Sequence, residues 1–310
     1  MSNQITEAFV KQFSNNVFHL SQQKGSRLRS MVRSEAQKAE SAFYERIGAA
    51  VAQLKVGRHS DTPQIDSLHS RRRVTMSDYE WADLIDRQDR IRMLIDPQGP
   101  YTQSAMWALG RAADDIIIAA ADGIAYSGSD GSTSVALPNS QKITAVASGA
   151  GSNLNVETLR ATKEIFDAND IDESIKRYIA VTSSQVRALL AQTEVTSSDF
   201  ASVKALVEGK IDTFMGFTFV RTERLLTVPS SLAFSVTTGA VGSGGGDASG
   251  YRRVLAWAED GLIYANGIEM NAKISERADK SYATQVYACM SMGATRLEEE
   301  KVVSILCNEG

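Results

Sequence analysis

The longest helical pattern of apolar residues runs from Tyr101 to Asp122. Its apolar side chains cover most of the helix circumference, prolines precede it, and Gly123 follows it as a C-terminal cap. At 1.5 Å per residue such a helix is about 33 Å long. The segment therefore predicts one long helix that buries most of its surface.

Residues 28–54 also carry an approximately helical stripe of apolar residues, with charged residues mostly on the other face. We predict an amphipathic helix here, interrupted near Gly48. The preceding residues, 1 to about 24, are polar with scattered apolar side chains such as Phe9 and Phe13. They have no core of their own, which predicts an extended arm packed on another surface.

Residues 57–96 mix β-favouring residues with dense charge of both signs. Between His59 and Pro100 the chain has six Arg, seven Asp and one Glu. This segment has too few apolar residues to form a core, and about 40 residues is too long for an ordinary loop. We predict a long, charged, two-stranded excursion that a neighbouring molecule stabilises.

The remaining chain predicts a mixed α/β section followed by strands alone, so the predicted fold class is α+β. In the mixed section the helical patterns are 155–168 and 183–192, and the strand-like runs are 177–182 and 214–220. Gly216 indicates a bulge or a close approach of the backbone. The later strand-like runs are 254–258, 262–265, 268–274, 284–292 and 301–307.

Composition excludes several classes of protein. The chain has 310 residues, of which 43% are hydrophobic and 23% charged, with five prolines. These values exclude wholesale disorder, a collagen-like repeat and a disulfide scaffold. The longest apolar run, 116–121, is far shorter than the roughly 20 residues of a membrane span, and the chain does not open on a signal-peptide pattern. We predict a protein made in the cytoplasm, in which Cys289 and Cys307 are reduced and buried, with a disulfide as the alternative.

Charge is distributed unevenly along the chain. Residues 1–58 hold nine Lys or Arg against four Glu and no Asp, whereas the whole chain has a net charge of −4. The basic segment, which includes Arg27, Arg29 and Arg33, would dock on nucleic acid or on an acidic neighbouring subunit, or is a solvated helix face. The acidity of the whole chain argues against a sequence-specific DNA-binding protein.

The motifs of common enzymes and cofactor sites do not occur in the sequence. It contains no GxSxG, GxxxxGK[ST], HExxH or EF-hand pattern. A metal site could be built from His59, Asp61, Asp66 and His69, but solvated loop residues are the better interpretation. Paired carboxylates lie beside arginines, which favours ion pairs over acid–base catalysis, and residues 298–300 are expected to form a solvated turn. We predict no enzyme activity, no cofactor and no metal.

Several segments together resemble a known family, and the similarity extends over nearly the whole chain. They are 71–73, 81–89, 96–101, 110–121, 216–219, 293–296 and 302–305. The family is the major capsid protein of tailed bacteriophages, which has the HK97-type fold, and in particular a capsid family of short-tailed and related phages. A long charged excursion and a basic arm also suit a protein whose exposed surfaces are covered by neighbouring copies.

The resemblance implies an N-arm and its helix, an E-loop lying over an adjacent subunit, a peripheral domain with a spine helix, an axial domain, and final strands that complete both domains. These segments are 1–50, 51–96, 97–150, 151–250 and 251–310 respectively. The implied subunit contacts of the E-loop are Arg71, Arg72, Arg73, Asp83, Asp86, Arg87, Asp89 and Arg90. Those of the N-arm are Phe9, Phe13, Arg27, Arg29 and Arg33, and the spine-helix positions are Trp107, Arg111 and Asp115.

The resemblance also implies the function and its partners. Pentamers and hexamers of the chain would assemble in the host cytoplasm into the icosahedral shell of a virion that encloses double-stranded DNA without reading its sequence. A portal protein, a decoration protein and a separate scaffolding protein are expected, the last because the chain begins close to the arm. No lysine lies between His59 and Pro100, so a lysine–asparagine crosslink is not expected there, and Lys55 is the one remote candidate. The alternatives are an encapsulin-type nanocompartment and an oligomeric α/β enzyme with a site between subunits.

Overall fold

The computed structural model describes residues 21–54, 57–58, 64–86, 98–147, 150–192, 212–227 and 250–309. In these residues the fold is α+β, as the sequence predicts. The helices are α1 (Gln98–Asp122), α2 (Val156–Ala168) and α3 (Ser183–Leu190). None of the helices in the described ranges combines the length and the apolar character needed to cross a bilayer.

The first nine strands in chain order are β1 (Arg33–Ala36), β2 (Ser41–Ile47), β3 (His69–Thr75), β4 (Ser77–Ile85), β5 (Ala125–Ser127), β6 (Thr133–Val135), β7 (Lys142–Thr144), β8 (Val146–Ala147) and β9 (Ala150–Gly151). The later strands are β10 (Arg177–Val181), β11 (Thr213–Phe214), β12 (Phe217–Arg221), β13 (Tyr251–Ala258), β14 (Leu262–Arg277), β15 (Ala283–Arg296) and β16 (Val302–Asn308).

The chain divides into two compact units. The smaller unit consists of Met1–Ser26, Asp78–Arg111 and Ile268–Met290. It contains nearly all of β4, the first part of α1 and the distal parts of β14 and β15, and β4 lies beside β15 in a sheet. Tyr287 on β15 donates a hydrogen bond of 2.8 Å to Glu80 on β4.

The larger unit consists of Arg27–Ser77, Ala112–Gly267 and Ser291–Gly310. Its main sheet has the strand order β11-β12-β10-β13-β16-β7. Every residue of β10 is buried, as expected for a strand with both faces covered. Phe166 of α2 packs on Phe217 of β12, with ring centroids 5.8 Å apart, so this helix covers the sheet.

The predicted helices of this unit are confirmed, and each begins at a capping residue. Asn155 caps α2, its side chain accepting a 2.7 Å hydrogen bond from the amide of Thr158. Thr182 and Gln185 form a capping box at the start of α3. The long helix α1 is also confirmed and begins at Gln98, three residues earlier than predicted.

The amphipathic helix predicted within residues 28–54 is wrong. β1 and β2 occupy this segment instead, and β1 pairs in parallel with the first residues of β14. In β2 the exposure alternates at every residue, which is the period of a strand and not of a helix. The apolar spacing of this segment is compatible with a helix and with strands. Pairing with strands distant in sequence selects the strands.

Three further expectations need correction. β3 and β4 do not form a two-stranded excursion with each other, because β3 pairs with β2 and β4 lies beside β15. The two apolar runs 262–265 and 268–274 belong to the single strand β14. Gly216 marks no bulge: Met215 and Gly216 both have positive φ, +53° and +85°, as in a tight hairpin turn between β11 and β12.

Both cysteines are free thiols, as predicted. Cys307 is fully buried, and burial raises the pKa of its thiol well above the usual value. Cys289 is partly exposed, so the prediction that it is buried does not hold in full.

Candidate assembly interface

The larger unit contains a β-hairpin that is built from β2 and β3. β2 pairs antiparallel with β3, from Ser41 opposite Thr75 to Ile47 opposite His69. Beyond the last pair, the amide of Gly48 donates a 2.8 Å hydrogen bond to the carbonyl of Leu68. β5 pairs with the middle of β3 on its other side. We call β2 and β3 the stem of the hairpin, and the described residues between them, 48–54, 57–58 and 64–68, its tip.

The two faces of the stem differ because side chains alternate along each strand. The inner face carries Tyr44 and Val74, which pack on Ile263, Ala265 and Leu297. The outer face carries residues 43, 45, 47, 69, 71 and 73, at positions that are exposed or half-buried. The three consecutive arginines of β3 are therefore divided between the faces, with the middle one pointing inward.

That middle residue, Arg72, is 1% exposed. Its Nε donates to the carbonyl of Leu297 at 3.3 Å, and its Nη2 forms an ion pair with Glu299. Burial lowers the pKa of Arg72, while the carboxylate of Glu299 opposes the shift. A guanidinium stays protonated even so, and the burial of this charge argues for a role inside the subunit.

Glu299 is the centre of a cluster of charges at the base of the stem. Besides Arg72, its carboxylate lies 3.7 Å from Arg46 and 3.6 Å from Arg296. Arg46 also donates to the carbonyl of Leu297 at 2.6 Å. We call Arg46, Arg72, Arg296 and Glu299 the root cluster. It contains three cations and one anion, so all three arginines depend on the same carboxylate and the cluster keeps a surplus of positive charge.

Arg296 connects the root cluster to the end of the long helix. It is fully buried and donates to the carbonyls of Ala121 and Gly123 at 2.9 Å and of Val135 at 3.1 Å. The last carbonyls of a helix lack intrahelical partners and lie at its negative end, where a cation is stabilising. Burial lowers the pKa of Arg296, and Glu299 opposes this shift as well. One carboxylate thus joins the hairpin to the C-terminal end of α1.

The solvated turn expected at residues 298–300 is therefore wrong for two of its three glutamates. Glu299 is 15% exposed in its side chain, and Glu298 lies 3.2 Å from Lys301, which also pairs with Asp260 at 2.6 Å. Only Glu300 is exposed among the three. The sequence carried one signal for this arrangement, an arginine at position 296 three residues before Glu299.

The tip of the hairpin has the opposite character. Residues 48–54 include no charged residue. In and beside the tip, large apolar side chains are strongly exposed: Ile47 by 69%, Val51 by 80%, Leu54 by 90% and Leu68 by 76%. Apolar side chains gathered at this exposure mark a surface that another molecule covers.

The other arginines of the stem have partners within the chain. Arg71 pairs with Glu45 at 2.9 Å and lies over the ring of Phe43. Arg73 lies over the ring of Tyr126, 5.0 Å from its centroid. Both interactions are on the outer face and leave these side chains partly exposed.

The remaining residues predicted for the E-loop lie on or after β4. Asp83 accepts a hydrogen bond from the amide of Leu84 at 2.8 Å, and Asp86 is exposed at the end of the strand. Arg87, Asp89 and Arg90 lie outside the described residues. Contacts of all these residues with a neighbouring subunit stay a prediction.

Of the residues predicted for the N-arm, Phe9 and Phe13 lie outside the described residues. Arg27 donates to the carbonyl of Arg221 at 2.6 Å. Arg29 lies over the ring of Tyr264, and Arg33 pairs with Glu35 at 2.5 Å. These basic residues are thus engaged within the chain, and contacts with a neighbour stay a prediction for them too.

The long helix holds its neighbouring segments through charged side chains. Its buried Asp114 accepts from the amides of Arg27 and Leu28 at 3.0 Å, and Asp115 pairs with Arg224, whose Nε lies 2.5 Å away. Trp107 and Arg111, the other predicted spine-helix positions, contact residues 22–24. In the described part of the chain no three His, Cys, Asp or Glu side chains gather as a metal site would require.

A family model described as phage capsid protein matches residues 5–309. The chain belongs to the phage capsid protein family. No curated protein matches the chain. The family assignment makes this protein a structural subunit: copies of it form the shell of the phage head, and it is located in the virion as capsid. It also favours the phage capsid over the encapsulin and enzyme alternatives.

Solved phage capsids share the fold. The capsid of cyanophage P-SCSP1u superposes with a TM-score of 0.74 at 16% identity, covering 99% of this chain and 96% of that chain. The capsid of Ralstonia phage GP4 gives 0.73 at 10% identity, covering 97% and 95%. The acid-stable capsid of Helicobacter pylori bacteriophage KHP30 gives 0.71 at 12% identity, covering 100% and 98%. The capsid protein therefore has the HK97-like fold, as the sequence predicts.

Proposed function

We propose that this capsid protein closes into an icosahedral shell of pentamers and hexamers around the double-stranded DNA of a tailed phage, without a catalytic activity of its own. The observation that carries the proposal is the hairpin: a stem fixed by buried charges ends in strongly exposed apolar side chains, and residues 48–54 there carry no charge. Such a tip is unfavourable on an isolated protein and suits one that exists as many contacting copies.

The hairpin is our candidate for the E-loop, the segment that lies over an adjacent subunit. Its strands begin at Ser41 and end at Thr75, so the proposed E-loop starts about ten residues earlier and ends about twenty residues earlier than the predicted range 51–96. In this assignment α1 is the spine helix, the sheet centred on β10 and β13 belongs to the axial domain, and β4, β14 and β15 belong to the peripheral domain.

The tip also changes the proposed chemistry of the contact between subunits. The predicted contact residues of the E-loop are all charged, but Val51, Leu54 and Leu68 are the most exposed large apolar side chains among the described residues of the hairpin. Burial of apolar surface stabilises a contact by roughly 25 cal/mol per Å², and salt does not screen it as it screens exposed charges. A modest contact of this kind suits a shell in which it is repeated in every copy.

Charge is consistent with a shell that encloses DNA without binding it tightly. The chain has a net charge of −4, and strong attraction to phosphate requires a surplus of Lys and Arg. Partners beyond further copies of the chain are proposed from the resemblance: a separate scaffolding protein, a portal protein and a decoration protein, with assembly in the host cytoplasm.

Electron microscopy and sedimentation of the purified protein, alone and coexpressed with the gene product encoded beside it, test the proposal. We expect closed particles tens of nanometres across, and their contents distinguish a genome shell from a compartment that carries enzyme cargo. A stable dimer or tetramer under every condition would contradict the shell.

A variant with Val51→Asp and Leu54→Asp tests the role of the tip. It should fold as the wild type but form at least tenfold fewer particles, because the apolar contact is lost. Ile124→Asp is the matched control, since Ile124 is 58% exposed and lies outside the hairpin. If both variants lost particles equally, the loss would follow from any exposed Ile, Val or Leu changed to Asp and not from the tip. A normal particle yield from the tip variant would exclude the tip from the interface.

A further inference from the structure

Residues 22–26 cross the long helix α1 in the smaller unit at unusually short range. An ideal Cβ placed on Gly110 would lie 2.7 Å from the Cα and C atoms of Gly25 and from the amide nitrogen of Ser26. Real Cβ atoms do not approach backbone so closely. Only glycine at position 110 therefore allows residues 25–26 to contact the helix at this point. Gly25 itself has a φ of +73°, a conformation that glycine adopts at no steric cost.

Side chains on both sides of the crossing hold the segment in place. Arg111 donates from Nη1 to the side chain of Gln22 at 2.8 Å and to the carbonyl of Gln23 at 3.1 Å. The ammonium group of Lys24 lies over the ring of Trp107, 5.6 Å from its centroid. The side chain of Gln23 also donates to the carbonyl of Gly25 at 2.9 Å. Three neighbouring helix positions thus contact five consecutive residues, 22–26.

We propose that this crossing is a clasp that fixes residues 22–26 on α1, and so fixes the point from which the first part of the predicted N-arm (residues 1 to about 24) starts. We call residues 22–26 together with Trp107, Gly110 and Arg111 the arm clasp. Gln22 and Lys24 are exposed, and the clasp consists of hydrogen bonds, one cation–π contact and the close backbone approach at Gly110. Its role is therefore to direct the arm toward the neighbouring copy, which rests on the proposed shell function.

The helix offers a matched pair of substitutions. Gly110→Ala places a methyl group where the clasp lies, whereas a Cβ on Gly99 of the same helix meets nothing within 4 Å. Gly110→Ala gains helix propensity in the interior of α1, so a destabilising effect there opposes that gain and results from the lost clasp. Gly99, the second residue of α1, controls for a methyl group added in open space. Arg111→Ala is a milder second variant that removes the two hydrogen bonds but leaves the glycine crossing, and Arg160→Ala on α2 is its surface control.

Limited trypsin digestion measures how readily the clasp opens. Cleavage requires the Lys24–Gly25 bond to leave its packed conformation, so its rate follows the opening of the clasp. The fragment beginning at Gly25, followed by mass spectrometry, should appear at least tenfold faster from Gly110→Ala than from Gly99→Ala or the wild type. Arg111→Ala should accelerate it several-fold, and Arg160→Ala should not. Equal rates in all proteins would overturn the clasp.

Particle yield by sedimentation then tests the role of the clasp in assembly. Gly110→Ala should keep its circular dichroism spectrum and lose most of its particles, whereas Gly99→Ala should assemble normally. Normal particles from both clasp variants would overturn the role in directing the arm. If Gly110→Ala loses its fold altogether, Arg111→Ala decides by the same two measurements. A wild type that forms no particles contradicts the shell, while the digestion still tests the clasp.

Discussion

The root and the tip of the same hairpin invert the usual distribution of residues in a protein. At the root, Arg72 is 1% exposed and Glu299 is surrounded by cations. At the tip, Leu54 is 90% exposed in a stretch without charge. Charged side chains are almost never fully buried unless paired, and large apolar side chains are usually inside. The buried charge at the root and the exposed apolar side chains at the tip therefore need separate explanations.

The difference indicates separate tasks for the two ends. Hydrogen bonds and ion pairs have preferred directions, whereas apolar contact has none. The root cluster thus holds the stem in one orientation relative to β15 and the end of α1, which a purely apolar root could not do with the same directionality. The tip can then present an adaptable apolar surface from a fixed base. A shell that repeats one contact many times requires both properties.

The largest expected effect comes from removing the one carboxylate of the root. Glu299→Gln keeps the size of the side chain but leaves Arg46, Arg72 and Arg296 without an anion. Loss of one partner of a buried ion pair costs about 3–5 kcal/mol, and the partial exposure of Glu299 places this variant near 3 kcal/mol in free energy of unfolding. Urea unfolding of the unassembled subunit measures the change, since assembly would shift the apparent stability.

Glu300→Gln is the matched control, because it makes the same substitution at the adjacent, exposed position. Surface changes of this kind alter the free energy of unfolding by less than about 0.5 kcal/mol. If the two variants unfolded at the same urea concentration, the root cluster would not stabilise the hairpin, and the contrast between root and tip would lose its energetic basis.

The three helices, and most strands from residue 177 onward, could be predicted from sequence. For α1 and α2 the apolar period, the capping residues and the local spacing all agree, and local agreement suffices for a helix. The helix predicted at residues 28–54 was wrong because the same apolar spacing also fits strands, in which every second side chain lies on one face. Only pairing with β3 and β14, which are distant in sequence, selects the strand.

The same reasoning explains which parts of the candidate interface were missed. Arg71, Arg72 and Arg73 read as one basic patch, but in a strand their side chains alternate, and that period would have separated the middle arginine from its neighbours. The partners of Glu299 lie on β2, β3 and β15. The register of these strands brings their side chains together, and this register cannot be deduced from a single sequence. The apolar composition of residues 48–54 was visible, but was assigned to a helix face.

A smaller effect distinguishes the two faces of the stem. Arg46→Met removes a half-buried cation that donates to Leu297 at 2.6 Å, and it should lower the free energy of unfolding by about 1–2 kcal/mol. Arg71→Met on the outer face breaks an exposed pair with Glu45, which is worth at most about 1 kcal/mol and less at high salt. Urea unfolding in low and high salt compares them. If Arg71→Met lowered the free energy of unfolding more than Arg46→Met, the charges that hold the stem would lie on its outer face, contrary to the proposed root cluster.

The smallest effect is expected at the tip. Leu54→Ala removes a large apolar side chain that buries little surface within its own subunit, so the free energy of unfolding of the unassembled subunit should change by less than about 0.5 kcal/mol. Leu297→Ala at the root, where the side chain is 9% exposed, should cost about 2–3 kcal/mol by the same urea measurement. Equal losses would mean that Leu54 packs inside its own subunit. The tip would then lose its most exposed apolar side chain as a contact for a neighbour, and the contrast on which the proposed interface depends would fail.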